Sequence, residues 1–481
     1  MKGGNEVHIG GLDIGTTGCK ISIYNEKGEF LHKSYSEYES IRNSEIQEID
    51  AADVWRSVKK VLYEAKNAVS EIDAIGITSF GESFVLLDKD DNILMPSMLY
   101  TDKRGNQEAL CFDSKTVMRI AGVKPHGMYS LPKLMWIKEN LPEVYDKTEK
   151  VFLFEDFIVY KLTGKRQIDY SLAARTMGFD IENKCWSEKL FSVAGIDIEK
   201  MSEPVCGGNI VGKAVLNGFS DTYIVNGCHD QLAAVIGAGV FEEGEAIDGT
   251  GTVECIVPVF NKIPESKEFF DDGYPVVPHI FDGKYMCYAL SYTGGAALKW
   301  YRDTFLNDKS YKELDSEVGE EPTGILIMPH FAGAANPYMD ENSKAVIAGL
   351  TLGTTKADLY RAVMEGVTYE ILLNLDRISE ENITVKKLYA TGGGASSQEW
   401  LQIKADILGR EITALDTSET GTVGTVMLSS VALGACKNLY EARNIFVKER
   451  KTYYPDMGKN KKYRVIYEKY KKIYSSAKGW Q

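Results

Sequence analysis

The chain has 481 residues, 44% hydrophobic and 26% charged, with a formal net charge of −14. That length exceeds one ordinary core and fits two large domains, and the composition is that of a globular enzyme. The acidic balance, with no basic tract, excludes a general nucleic-acid surface; no apolar run is long enough for a bilayer, and Met1–Glu6 carries no secretion pattern, so a cytoplasmic protein is expected.

Along the chain, His8–Asp13, Lys20–Tyr24 and Phe30–Ser34 predict a three-stranded meander. A helix from Ala52 to about Val69 and a strand at Ala74–Thr78 follow. The same programme restarts with a strand at Tyr223–Asn226, a small-residue helix at Gln231–Gly237, and strands at Glu245–Asp248 and Val253–Val257. A long helix at Leu359–Leu375 precedes a strand, Leu388–Thr391, that enters Gly392-Gly393-Gly394. Helix, strand and helix then follow at Gln398–Leu408, Glu411–Ala414 and Thr422–Leu433. No low-complexity linker occurs, so a short hinge between about Gly237 and Glu245 is expected to divide residues 1–242 from 243–481. Lys448–Gln481, rich in Lys and Tyr, reads as an exposed amphipathic helix packing by its tyrosines.

Two hairpin signatures carry the chemistry: Asp13-Ile14-Gly15-Thr16-Thr17-Gly18 and Asp248-Gly249-Thr250-Gly251-Thr252. Each is a tight turn of small residues whose free N–H groups can cradle an anion. Two such cradles in two similar halves suggest one polyphosphate in a cleft between them. The eight cysteines and six histidines are scattered without metal-ligand spacing. Any metal should therefore be a hard ion held by carboxylate and phosphate oxygens, which points to Mg²⁺. Asp230, between a strand and a helix, reads on its own as an N-cap, and Asp13 as an Asx-turn residue.

Longer segments carry a resemblance. Met128-Tyr129-Ser130-Leu131-Pro132-Lys133-Leu134-Met135-Trp136-Ile137-Lys138-Glu139-Asn140 is one, and Ala345–Leu350 followed by Asp358–Glu365 is another. With Glu155-Asp156-Phe157, Lys161–Gly164, Phe331–Gly333, Pro337–Asp340 and Gly392–Ala395, they resemble the FGGY carbohydrate kinases of the actin-like ATPase superfamily from Asp13 to about Gly434.

The resemblance implies an α/β fold of two actin-like (ribonuclease H-like) domains with an interdomain catalytic cleft. It implies ATP and Mg²⁺ as cofactors, and a small sugar, such as a ketose, or a polyol as acceptor; a homodimer is compatible with it. Asp230 then matches the catalytic base, and Asp13, with Asp230, organises the metal. Thr16, Thr17 and Lys20 face the phosphates, and Gly249, Thr250 and Gly251 hold the γ-phosphate through backbone N–H groups and the Thr250 hydroxyl. Gly295, Lys299, Gly394 and Gln398 match further ATP-side positions. The acceptor wall falls to Gly81, Glu82, Asp102, Met128 and Gln231. Gly81 stands where relatives carry a side chain and should leave space, whereas Asp102 could instead pair with Arg104. An actin-like chaperone or scaffold ATPase, and a catalytically silent sugar sensor, remain the alternatives.

Overall fold

The computed structural model describes residues 6–43, 46–417 and 419–480. Met1–Asn5, read above as lacking a secretion pattern, and Gln481 lie outside the described residues. The chain forms two compact units. The first comprises Met1–Gly239, Val276–Tyr285 and Glu419–Val447, and the second Val240–Pro275, Met286–Ser418 and Lys448–Gln481. The division after Gly239 falls within the expected hinge stretch, but two segments placed by sequence in the second half return to the first unit.

In the first unit, β1 (His8–Ile14), β2 (Gly18–Asn25) and β3 (Phe30–Glu37) form the meander, extended by β4 (Ala74–Ser79), β5 (Ile210–Lys213) and β6 (Tyr223–His229) in the order β5-β6-β4-β1-β2-β3. β4 runs parallel to both β1 and β6. Helix α1 (Ala51–Val69) is started by Asp50, whose side chain accepts from the Ala52 N–H at 2.8 Å. It buries Val54, Val58, Val61, Leu62 and Ala65, the 3–4 spacing of a single apolar face, into the core formed with Leu12, Ile21 and Ile77. Each such aliphatic side chain contributes about 1.5–3 kcal/mol.

The return of helix Thr420–Ala432 to this unit has a steric cause. A Cβ on Gly11 would lie 2.2 Å from the Thr422 carbonyl oxygen, and one on Gly424 only 1.9 Å from that of Ala233. The helix therefore rests on bare backbone of β1 and of helix α2 (Asp230–Gly237), a docking that any larger side chain would block.

The second unit repeats the plan with β7 (Glu245–Thr250), β8 (Glu254–Phe260), β9 (Lys387–Thr391), β10 (Glu411–Leu415) and β11 (Glu449–Tyr453), adjacent in the order β8-β7-β9-β10-β11. Val253, expected within the strand, lies instead in the turn before β8. The long helix Lys356–Ser379 begins at a Thr355–Asp358 capping box. The C-terminal stretch packs by its tyrosines as expected and adds a strand that was not expected. It supplies β11 and a helix, Met457–Tyr470, whose Tyr463, Tyr467 and Tyr470 are buried, because Tyr463 and Tyr470 donate to the buried carboxylates of Glu365 and Glu370.

Candidate active site

The first hairpin closes with Ile14 opposite Cys19, leaving Gly15-Thr16-Thr17-Gly18 as its turn. The Gly15 N–H donates to the Gly18 carbonyl at 2.9 Å, and Tyr38 donates its hydroxyl to Gly15 O at 2.5 Å, so the turn is fixed from both sides. Lys20, opposite Asp13 in the ladder, lies 3.2 Å from Asp13 Oδ2 and 2.9 Å from Glu419 Oε2. Lys33 also reaches Glu419, at 2.6 Å. Burial pushes the Asp13 carboxyl up in pKa, and the Glu419 charge adds to this against Lys20. Burial would also raise Glu419, but its bonds to Lys33 and Lys20 outweigh this and hold it low.

Asp230 is placed by the end of β6. The His229 N–H donates to Ser171 Oγ at 2.9 Å, and that hydroxyl donates to Asp169, so the strand cannot slide before helix α2 begins. A third of the Asp230 side chain remains exposed. Burial lifts its pKa to about 7, aided by the Asp13 and Glu82 carboxylates and opposed by the Gln231 N–H and Arg175. Asp230 Oδ1 accepts no hydrogen bond, although His229 Nε2 is 3.3 Å away. That neighbour is no ion-pair partner, because burial and Arg175 keep the imidazole neutral.

Glu82 sits in a left-handed conformation, φ 65°, which a non-glycine residue adopts only when its surroundings enforce it. Ser130 Oγ, donating to the Glu82 carbonyl at 2.6 Å, is one restraint. Two expectations for this wall are corrected. A Cβ on Gly81 would meet Arg175 Cγ at 2.9 Å and His229 Cδ2 at 3.2 Å, so the glycine does not open space; Arg175 has filled it. Asp102 is fully buried and accepts from Gln47 N, Arg104 N, Arg104 Nε and Arg104 Nη2 at 2.7–3.0 Å. Its carboxylate is spent on the loop, so the Arg104 alternative describes it, in buried rather than surface form. Met128 and Gln231 are half-buried, Met128 in the turn before helix Ser130–Asn140 and Gln231 in the first turn of α2.

The second hairpin closes with Thr250 opposite Glu254. Gly251, Gly295, Lys299, Gly394 and Gln398 all line one cavity of about 880 Å³ in this unit, with Tyr360 donating to Asp315 at 3.0 Å inside it. That volume suits a nucleoside-sized ligand. Lys299 divides its role, since its exposed ammonium pairs with Asp303. Thr250 is corrected as well, since its hydroxyl points into the interior and donates to Glu254 Oε1 at 2.9 Å. Beneath it, Lys404 Nζ donates to Asp248 Oδ2 at 2.7 Å, Thr250 Oγ1 at 2.7 Å and Glu254 Oε1 at 2.6 Å. Burial drives Glu254 well up in pKa, while Lys404 outweighs burial at Asp248 and keeps it low. One ammonium thus holds two buried carboxyl groups whose proton affinities are driven in opposite directions. Sequence reasoning missed Arg175, Glu419 and Lys404, because no local motif ties them to their partners.

Two units, each with a small-residue hairpin whose first strand pairs in parallel with a later strand, define the class as a two-domain α/β repeat. Residues 8–237 match the N-terminal domain of the FGGY family of carbohydrate kinases, and residues 250–433 match its C-terminal domain. The chain belongs to that family, whose reaction is the phosphorylation of a sugar or polyol. Xylulose kinase of Bacillus subtilis (strain 168) is 24% identical over 98% of this chain and 97% of its own. Glycerol kinase of Thermococcus onnurineus (strain NA1) is 28% identical over 98% of this chain and 97% of its own. The fold matches the crystal structure of gluconate kinase from Lactobacillus acidophilus with a TM-score of 0.91, at 22% identity and 98% coverage of both chains. Among the described residues no helix is long and apolar enough to cross a membrane.

Proposed function

We propose that the protein transfers the γ-phosphoryl group of ATP to a hydroxyl of a small sugar, such as a ketose, or of a short polyol, with Asp230 as general base. The observation that carries this reading is Asp230 itself, a carboxylate fixed at a strand end, reaching solvent, with one oxygen free of hydrogen bonds and a pKa lifted to about 7. Such a group accepts a hydroxyl proton as the oxygen attacks the γ-phosphorus and the bond to ADP breaks. Glu82 orients the acceptor's hydroxyls. Thr16, Thr17 and Lys20 in the first unit, and the turn at Gly249–Gly251 in the second, contact the phosphates. The 880 Å³ cavity holds the nucleoside.

The donor set fits Mg²⁺. Asp13 and Asp230 are both raised in pKa, so each gains by facing a divalent cation. Among the described residues no group of three or more His, Cys, Asp or Glu side chains could hold an ion. The protein would supply one or two carboxylates, with phosphate oxygens and water completing the octahedron that Mg²⁺ prefers. When bound, the ion neutralises phosphate charge. Relatives named for xylulose, glycerol and gluconate bracket the acceptor class. ADP release with Mg²⁺-ATP and a panel of pentuloses, pentoses, deoxysugars, polyols and sugar acids tests the reading. Turnover stimulated by one small group of acceptors is expected; ATP hydrolysis indifferent to every acceptor would overturn it.

A further inference from the structure

We infer that Arg175 is a positioning residue of the acceptor site, acting through Glu82 and standing in for the side chain absent at position 81. The inference rests on the reading of Glu82 as an acceptor-binding carboxylate. Arg175 belongs to the one-turn helix Ala174–Thr176, which follows a short helix capped by Asp169. That anchor is firm, since Asp169 accepts from the N–H groups of Ser171 and Leu172, both at 2.9 Å. From there the aliphatic stem of Arg175 crosses to the other loop and occupies the volume beside Gly81, with Cγ and Cβ at 2.9 and 3.0 Å from a Cβ built on that glycine.

Its guanidinium then meets Glu82. Nε donates to Glu82 Oε1 at 2.6 Å, and Nη2 pairs with the same oxygen. Both of these contacts fall on Oε1, and in the proposed arrangement Oε2 serves the acceptor. The guanidinium also lies over the Tyr129 ring, 5.2 Å from its centroid, and Tyr129 immediately precedes the serine whose hydroxyl holds the Glu82 carbonyl. Arg175, Glu82, Tyr129 and Ser130 therefore form one packed unit. Both charged side chains are nearly buried, at 6% and 7% exposure, so neither can change partner without stranding the other. A lysine would keep the charge and lose the planar fork.

The test compares wild type, Arg175→Lys, Arg175→Met, Glu82→Gln and Arg175→Met/Glu82→Gln, using the panel acceptor with the highest kcat/KM. Losing the arginine should raise the acceptor KM about tenfold or more, as for a lost charge-assisted hydrogen bond, and leave the KM for ATP within about twofold. Arg175→Lys should fall between, and the double variant should be no worse than Glu82→Gln. If Arg175→Met strands Glu82 and fails to fold, the double variant, which buries no unpaired carboxylate, carries the same comparison. An unchanged acceptor KM in Arg175→Met beside a raised one in Glu82→Gln overturns the inference and leaves the acceptor reading standing. Equal rises in both KM values would mean a merely structural arginine. If Glu82→Gln also left the acceptor KM unchanged, the acceptor reading of Glu82 would fall, and this inference with it.

Discussion

In the first hairpin Asp13 shares Lys20 with Glu419, and the three side chains keep between 17% and 29% of their surface exposed. In the second, Asp248 shares Lys404 with Glu254, and exposure falls to 1% or less. The arrangement is the same, two carboxyl groups around one ammonium, but the dielectric setting differs. In the proposed reading Lys20, closer to water, leaves its carboxylates for a phosphate at smaller cost than Lys404 would leave its own. Removing Lys404 leaves a buried carboxylate without solvent or partner. In the proposed reading the first triad exchanges ligands, while the second braces the turn above it. Thr250 shows the consequence, since its hydroxyl is committed to the brace and only the backbone of its turn can face phosphate.

The largest effect should come from breaking the brace. Lys404→Met should cost about 3–5 kcal/mol, read as a lowered thermal transition of the second unit. Adding Asp248→Asn should recover more of that loss than adding Glu254→Gln, because Asp248 is the partner whose pKa Lys404 holds low. Equal recovery by the two would contradict that difference. Lys20→Met should behave in the opposite way. Its stability change should stay under about 1 kcal/mol. The KM for ATP should nevertheless rise by one to two orders of magnitude, as roughly 1.5–3 kcal/mol of charge-assisted bonding is lost. A Lys20 variant that unfolds early but binds ATP normally would reverse the comparison.

A smaller effect in the first unit depends on pH. Beneath β6, burial lifts Asp156 to about 8 and Asp169 to about 6, from ordinary values of 3.8. The unfolded chain releases these protons near pH 4 and the folded chain only later. Stability should therefore fall as pH rises through that window, by about 1.4 kcal/mol per unit for each group still protonated when folded. Asp156→Asn keeps an acceptor for the 2.6 Å bond from Ser202 and should flatten the fall between pH 5 and 8. Urea titrations at several pH values measure this; parallel profiles for the two proteins would show that Asp156 is ionised in the fold.

The hairpins, the alternation of strand and helix, and Asp230 at its strand end were legible because each is a local pattern of a few residues. The supporting charges were not. Arg175 lies 93 positions from Glu82, and Lys404 lies 156 from Asp248, so only the folded chain reveals what each neutralises. For the same reason Gly81 read as open space, although the side chain that fills it comes from another loop. The Tyr-Thr-Asp-Lys-Arg segment offered the pairing of Asp102 with Arg104 but not its burial, because Gln47 and Glu48, which complete that cluster, lie more than fifty positions away. The return of Glu419–Val447 to the first unit was hidden because its cause, glycine at Gly11 and Gly424, lies in two distant segments.

The central claim is that Asp230 takes the acceptor's proton, and Asp230→Asn tests it most directly. Asparagine keeps the shape and can still begin helix α2, but it cannot accept the proton. Acceptor-dependent ADP release should fall by about 10²–10⁴, with ATP affinity by calorimetry close to wild type. Turnover of the best acceptor within a few-fold of wild type would contradict the account.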